Sequence, residues 1–241
     1  MSVSRAFVDL KISGAARRVE FDLPAGPVRP AELLPVFRQF SNAMVAAAEA
    51  AAPAPITCAP GCGACCRQLV PIRAMEARRL AAFTQALPSP RREVILARFA
   101  AARQRLDATG LRHRLDAREG LDAPARLQLK LDYFALGIPC PFLENESCGI
   151  YEERPMICRE HLVTTPAAAC ANPSEGAIHT LPVHRADAAA AKLEASASPS
   201  APAWIPLIDL LAWAASHPED EASQTQDPRA LIEQFIRDLS R

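Results

Sequence analysis

The side chains of this sequence with the most chemistry to offer are its thiols. Cys58, Cys62, Cys65 and Cys66 stand within nine residues, and Cys140, Cys148, Cys158 and Cys170 follow later in the chain. A thiolate is both a soft metal ligand and a nucleophile, so thiols crowded in this way share a metal, form disulfides or carry out redox exchange. Spacings of two or three residues let neighbouring sulfurs reach one ion. Gly61 and Gly63 let the loop backbone turn tightly and aim N–H groups at whatever the sulfurs hold. A zinc site and an iron–sulfur cluster each take four such ligands, and eight cysteines would fill two sites.

Two other readings of the same thiols stay open. Disulfide scaffolding is disfavoured because adjacent cysteines such as Cys65 and Cys66 bridge each other poorly. A dithiol–disulfide switch is open to Cys65-Cys66 and to Cys62-Gly-Ala-Cys65, although C-x2-C without a βαβ setting does not define a thioredoxin-like domain. The run Cys58-x3-Cys62-x2-Cys65 also has the spacing of the iron–sulfur loop of radical S-adenosylmethionine enzymes. Their β/α barrel needs a strand–helix alternation that this sequence lacks.

Other polar residues add less. His161 lies three residues after Cys158, a helical spacing for an extra ligand, whereas His179 and His184 sit in a segment without thiols. Arg67, Arg154 and Arg159 neighbour cysteines, where a guanidinium favours thiolates; surface ion pairing explains them as well. Phe142 and Tyr151 either shield the thiols or pack a core. Asp9, Asp22, Glu144 and Glu146 form no paired-carboxylate pattern. There is no Ser/His/Asp signature, phosphate-binding glycine loop or dinucleotide fingerprint. An enzyme is therefore unsupported by motif, and it is retained as an alternative.

The elements that would position these groups follow from periodicity. The chain has 241 residues, half of them hydrophobic, enough for a sizeable core. Alternation over residues 7–12 and 19–23 predicts a β-hairpin with Val8, Leu10, Ile12, Val19, Phe21 and Leu23 on one face. Helical stripes predict helices over 31–52, 74–87, 90–108, 125–136, 187–195, 204–216 and 229–239. Residues 112–123 are polar and ambiguous, 196–203 resemble a linker, and an acidic loop spans 218–228. The second cysteine region, 138–173, is rich in turns, with one short helix near 156–162. The expectation is a mainly α single domain over residues 1–241: a small N-terminal β-hairpin, a loop-built cysteine-rich metal region, and a helical C-terminal extension over about 186–241.

Charge and hydropathy narrow the setting. Lys plus Arg and Asp plus Glu each number 27, so no global field attracts nucleic acid or an anionic membrane. No apolar run reaches the roughly 18 residues of a membrane span, and the N-terminus lacks the apolar core of a secretory signal. A cytoplasmic location follows as an expectation, with reduced thiols and no disulfide scaffold.

Read together, Cys58, Cys62, Cys65, Cys66-Arg67, Cys140-Pro-Phe-Leu, Cys148-Gly-Ile-Tyr, Arg154-Pro and Cys158-Arg159 resemble the zinc- or iron-chelating (YkgJ-like) family named for a CxxCxxCC motif. The resemblance spans about residues 56–165. Its first spacing is three residues here rather than two, and Cys170 lies outside the shared pattern. The resemblance implies thiolate ligation of zinc or an iron–sulfur cluster by Cys58, Cys62, Cys65, Cys66, Cys140, Cys148 and Cys158, with Cys170 the eighth candidate. The alternatives are an enzyme, either a methyltransferase or a redox catalyst using that centre, and a metal-braced partner-binding module. Some relatives are described as flagellin lysine methylases, and the motifs by themselves carry no reaction over.

Overall fold

A computed structural model describes residues 3–12, 15–173, 178–218 and 225–240. It is mainly helical, with an N-terminal antiparallel hairpin formed by β1 (Val3–Ile12) and β2 (Ala15–Pro24). Both strands are longer than the alternating segments 7–12 and 19–23. The register pairs Val8 with Val19 and Ala6 with Phe21, so the predicted apolar face survives intact. Ile12, Val19, Phe21 and Leu23 are buried, while the other face carries cross-strand ion pairs Asp9–Arg18 and Arg5–Glu20. Phe7 remains exposed under the guanidinium of Arg18.

The hairpin rests on α1 (Leu34–Ala50), which follows a 3-10 turn over Pro30–Leu33. Beyond it the chain forms β3 (Pro71–Ile72), α2 (Ala74–Ala86), α3 (Arg91–Asp107), α4 (Leu111–Asp116) and α5 (Ala123–Ala135). The short strands β4 (Leu143–Glu144) and β5 (Ser147–Cys148) come next, then α6 (Met156–Arg159) and α7 (Ala167–Ala171). Finally come α8 (Ala186–Ala197), β6 (Ile205–Pro206), α9 (Leu210–Ser216) and α10 (Pro228–Leu239). The ambiguous polar stretch is thus α4 followed by a 3-10 turn, and the short helix at 156 stops at Arg159 rather than 162. Most of the predicted acidic loop lies outside the described residues.

α10 shows how pattern becomes packing. Asp227 caps it by accepting from the Arg229 N–H at 3.1 Å, with Pro228 opening the first turn. Leu231, Ile232, Phe235 and Leu239 form one buried stripe. Phe235 stacks on Phe37 of α1, with ring centroids 4.4 Å apart, and meets Phe40 edge-on at 5.4 Å. This core joins the hairpin, α1, α8 and α10. A second core lies between α2, α3, α9 and the thiol-bearing turns, through Leu80, Ile95, Phe99, Phe142 and Ile150. Residues 196–203 are no free linker. The Ala203 carbonyl accepts from Arg73 at 2.7 Å, and Ala201 packs on the second core.

Buried carboxylates join these parts at helix N-termini, where backbone N–H groups lack partners and the helix dipole favours negative charge. Glu194 of α8 accepts from the N–H groups of Ala74 and Met75, at 3.0 and 2.7 Å, at the start of α2. Glu76 accepts from Arg73 N–H at 3.2 Å and from Met156 N–H, the first residue of α6, at 2.8 Å. Glu160 holds Ser41 of α1, the Asp187 N–H of α8 and the Arg185 side chain. Burial, reinforced by Asp187, pushes the Glu76 carboxyl from 4.5 up to about 7. The folded state therefore keeps a proton that the unfolded chain has lost between those values. Stability contributed by this group should fall as pH rises from about 4.5 to about 7, by on the order of 3 kcal/mol. Urea unfolding at both ends of that window should show the loss in the native chain and a flatter dependence in Glu76→Gln.

Candidate thiol site

The first thiol segment is fixed at both ends. Thr57 donates its N–H to the Val163 carbonyl at 3.0 Å and its hydroxyl to the Thr165 carbonyl at 2.5 Å. Gly61 turns with φ of 87°, and its N–H donates to the Ser147 hydroxyl at 2.9 Å. A 3-10 turn over Ala64–Arg67 then carries Cys65 and Cys66. At its start Gly63 lies so close to the β4–β5 turn that a Cβ there would stand 2.9 Å from a Leu143 methyl and 3.2 Å from the Glu146 backbone.

The second segment docks directly on the first. The Cys140 N–H donates to the Cys66 carbonyl at 2.7 Å. β4 and β5 pair Leu143 with Cys148 around a tight turn in which Asn145 and Glu146 take positive φ, 50° and 56°. That turn is clamped by Arg67, which reaches Glu146 through two bonds of 2.7 and 2.9 Å and also holds the Gly63 carbonyl. Cys158 lies on α6, whose first N–H is held by Glu76. Cys170, on α7, is buried, and α7 packs against the Ala64–Arg67 turn. Cys58 is exposed, and the other six sulfur residues are partly buried.

The electrostatics separate one sulfur from the rest. The adjacent Cys66 side chain brings the Cys65 thiol down to about 7 despite its burial. The same neighbour, with burial, pushes Cys66 up. Burial pushes the Cys140 thiol up to about 12, and it raises Cys148 and Cys158 as well, with neighbouring thiols adding to the effect. Cys58 and Cys170 are also raised, chiefly by burial.

These facts correct the metal expectation. Among the described residues, no group of three or more His, Cys, Asp or Glu side chains could hold a metal ion. The physical reason lies in the donor set. A ligating sulfur must give up its proton, and burial, with the neighbouring thiols, makes that harder at Cys140, Cys148 and Cys158. Cys140 and Cys148 also serve as apolar packing against the second core. Zinc and iron–sulfur ligation by the eight cysteines is therefore set aside, together with the enzyme and the partner-binding module built on such a centre. His161 belongs to no group of ligating side chains among the described residues. Burial lowers its pKa, and its buried Nε2 has no hydrogen-bond partner. All eight cysteines are free thiols.

The arginines divide by task. Arg67 is paired with Glu146. Arg159 is buried and donates to the Asn42 side chain and the carbonyls of Tyr151, Glu152 and Arg154, tying the turn over 151–154 to α1. Arg154 lies over the Tyr151 ring, 4.2 Å from its centroid. Glu76, Glu160 and Glu194, which hold the frame of the site, escaped sequence reasoning. The only local signal was the Arg73-x-x-Glu76 spacing that opens α2.

Comparison with protein families places the chain. The family model CxxCxxCC, described as a "putative zinc- or iron-chelating domain", matches residues 57–179, just over half of the chain. The chain belongs to this family. Neither the curated proteins nor the solved structures yield a match. Among the described residues, no helix is long and apolar enough to cross a membrane.

The close approach at Gly63 makes a direct test of the docked geometry. Gly63→Ala should force the β4–β5 turn away and cost about 1–3 kcal/mol, the usual penalty for overpacking, as measured by urea unfolding. It should also raise the rate at which the folded chain's cysteines are alkylated.

Proposed function

We propose that this chain is a dithiol–disulfide exchange module in which Cys65 is the attacking sulfur and a thiol of the second segment resolves the mixed disulfide. The observation that carries this reading is the hydrogen bond from the Cys140 N–H to the Cys66 carbonyl, which seats the turn bearing Cys65 and Cys66 against the second thiol segment. Covalent lengths and the 2.7 Å bond keep the Cα atoms of Cys66 and Cys140 within roughly 7 Å, the outer limit for a disulfide. The turn that carries Cys65 next to Cys66 thus lies against the second segment without being bridged to it. The lowered Cys65 thiol supports the assignment, since attack is most effective from a thiol titrating near ambient pH.

The reaction balances with a small-molecule disulfide as oxidant. The Cys65 thiolate attacks one of its sulfurs, the S–S bond breaks, and the departing thiolate takes a proton from solvent. A second-segment thiol then gives its proton to solvent and attacks Sγ of Cys65, expelling the second thiolate. Two electrons pass from the protein to the disulfide. A cytoplasmic setting is part of this reading, supported by eight free thiols that a reducing compartment would maintain. So is a single domain, supported by the grip of Glu194 and Asp187 of α8 on the start of α2.

Peptide mapping tests the proposal. The full chain, reduced and then exposed to oxidised glutathione, should acquire one bridge joining residues 57–67 to 138–159, reversed by dithiothreitol. Cys65→Ser should abolish the bridge and Cys170→Ser should retain it. Eight thiols still free after exposure would overturn the reading. So would bridges scattered among all the cysteines, or stoichiometric zinc or iron in the purified protein.

A further inference from the structure

Three arginines, Arg67, Arg154 and Arg159, neighbour the thiols in sequence, and two of them are committed. Arg67 is neutralised by Glu146, and Arg159 is held by the Asn42 amide oxygen and three backbone carbonyls. Arg154 differs. Among the described residues it has no carboxylate partner within ion-pairing distance, and its buried Nε has no hydrogen-bond acceptor. Its guanidinium carbon lies 4.2 Å from the centroid of the Tyr151 ring, which is 56% exposed, and Arg154 itself is half-buried. The charge of Arg154 also reaches three sulfurs, favouring the thiolates of Cys58, Cys65 and Cys148.

A planar guanidinium stacked on an aromatic ring and lacking a carboxylate is a receptor for a ligand carboxylate. The chain as a whole carries equal numbers of basic and acidic side chains, so any preference for anions at this site must be local. Resting on the exchange reading above, we propose that Arg154, backed by Tyr151, docks the carboxylate of a small anionic disulfide or thiol and so selects anionic partners for exchange at Cys65. Arg154 acts on the incoming molecule, and Cys65 acts on its sulfur.

Three aromatic or aliphatic disulfides that differ in charge provide the test: dithiobis(nitrobenzoate), which is anionic, neutral dithiodipyridine, and cationic cystamine. The rate of adduct formation at Cys65 is read by peptide mass, and each rate is divided by that of the neutral probe. Any influence of Arg154 on the thiolate itself cancels in this ratio. The anionic ratio should fall about tenfold in Arg154→Gln and be largely restored in Arg154→Lys, while the cationic ratio rises. Should Arg154→Gln fail to fold, the native chain still decides. Its anionic ratio should decline as salt rises from about 10 to about 300 mM, while the cationic ratio climbs. Ratios that are equal in the native chain and Arg154→Gln, or insensitive to salt, would overturn the docking proposal even if the neutral probe yields the bridge. A neutral probe that forms neither adduct nor bridge would overturn the exchange reading itself.

Discussion

One backbone hydrogen bond, from the Cys140 N–H to the Cys66 carbonyl, sets the arrangement on which the thiol site depends. It joins two segments that lie far apart in sequence, and neither has enough regular structure to hold a shape alone. The first is a loop ending in a single 3-10 turn, and the second is a two-residue ladder with tight turns. Isolated turns of this size are marginal in water. Their order comes from each other and from the side chains that brace the contact: Arg67 across Glu146, Ser147 under Gly61, and Phe142 seated edge-on against Phe99 at 5.3 Å. The absence of a side chain at Gly63 permits the approach.

Behind that contact stands a frame of buried carboxylates. Glu76, Glu160 and Glu194 each accept from backbone N–H groups at helix starts. A carboxylate in such a place satisfies donors that the helix cannot, but it must be drawn out of water. Burial raises all three above the ordinary carboxylate range. Glu153 shows the opposite balance. Held by Arg79 and Arg38, and only partly buried, it is lowered to about 2. The same side-chain type is thus tuned in both directions within one small frame, according to whether burial or paired cations dominate.

The parts legible in the sequence are those governed by short-range periodicity. The stripes of α1 and α10, the alternation of the hairpin, and the glycine-rich turn at Cys62 all follow from neighbours a few residues apart. The family resemblance also lay in local motifs, and the match over residues 57–179 confirms it. What stayed hidden depends on partners distant in the chain. No local pattern marks Glu194 as a cap for α2, Cys170 as a neighbour of the first thiol turn, or residues 196–203 as a packed strap. Spacing also misled about metal. It describes how near two sulfurs come along the chain, but not which side chains converge on one point in space; among the described residues no group of three ligating side chains does so.

The N-terminal hairpin has two strand edges without a β partner among the described residues. Open edges of ten-residue strands are templates on which other copies of a chain can polymerise. The rungs Asp9–Arg18 and Arg5–Glu20 place charge of both signs along the exposed face. Each pair neutralises itself across its own ladder, and a second hairpin laid alongside would have to break or crowd those pairs. The hairpin is thereby guarded against fibrillar stacking by its own charge pattern, at the solvent face where the helices give it no cover.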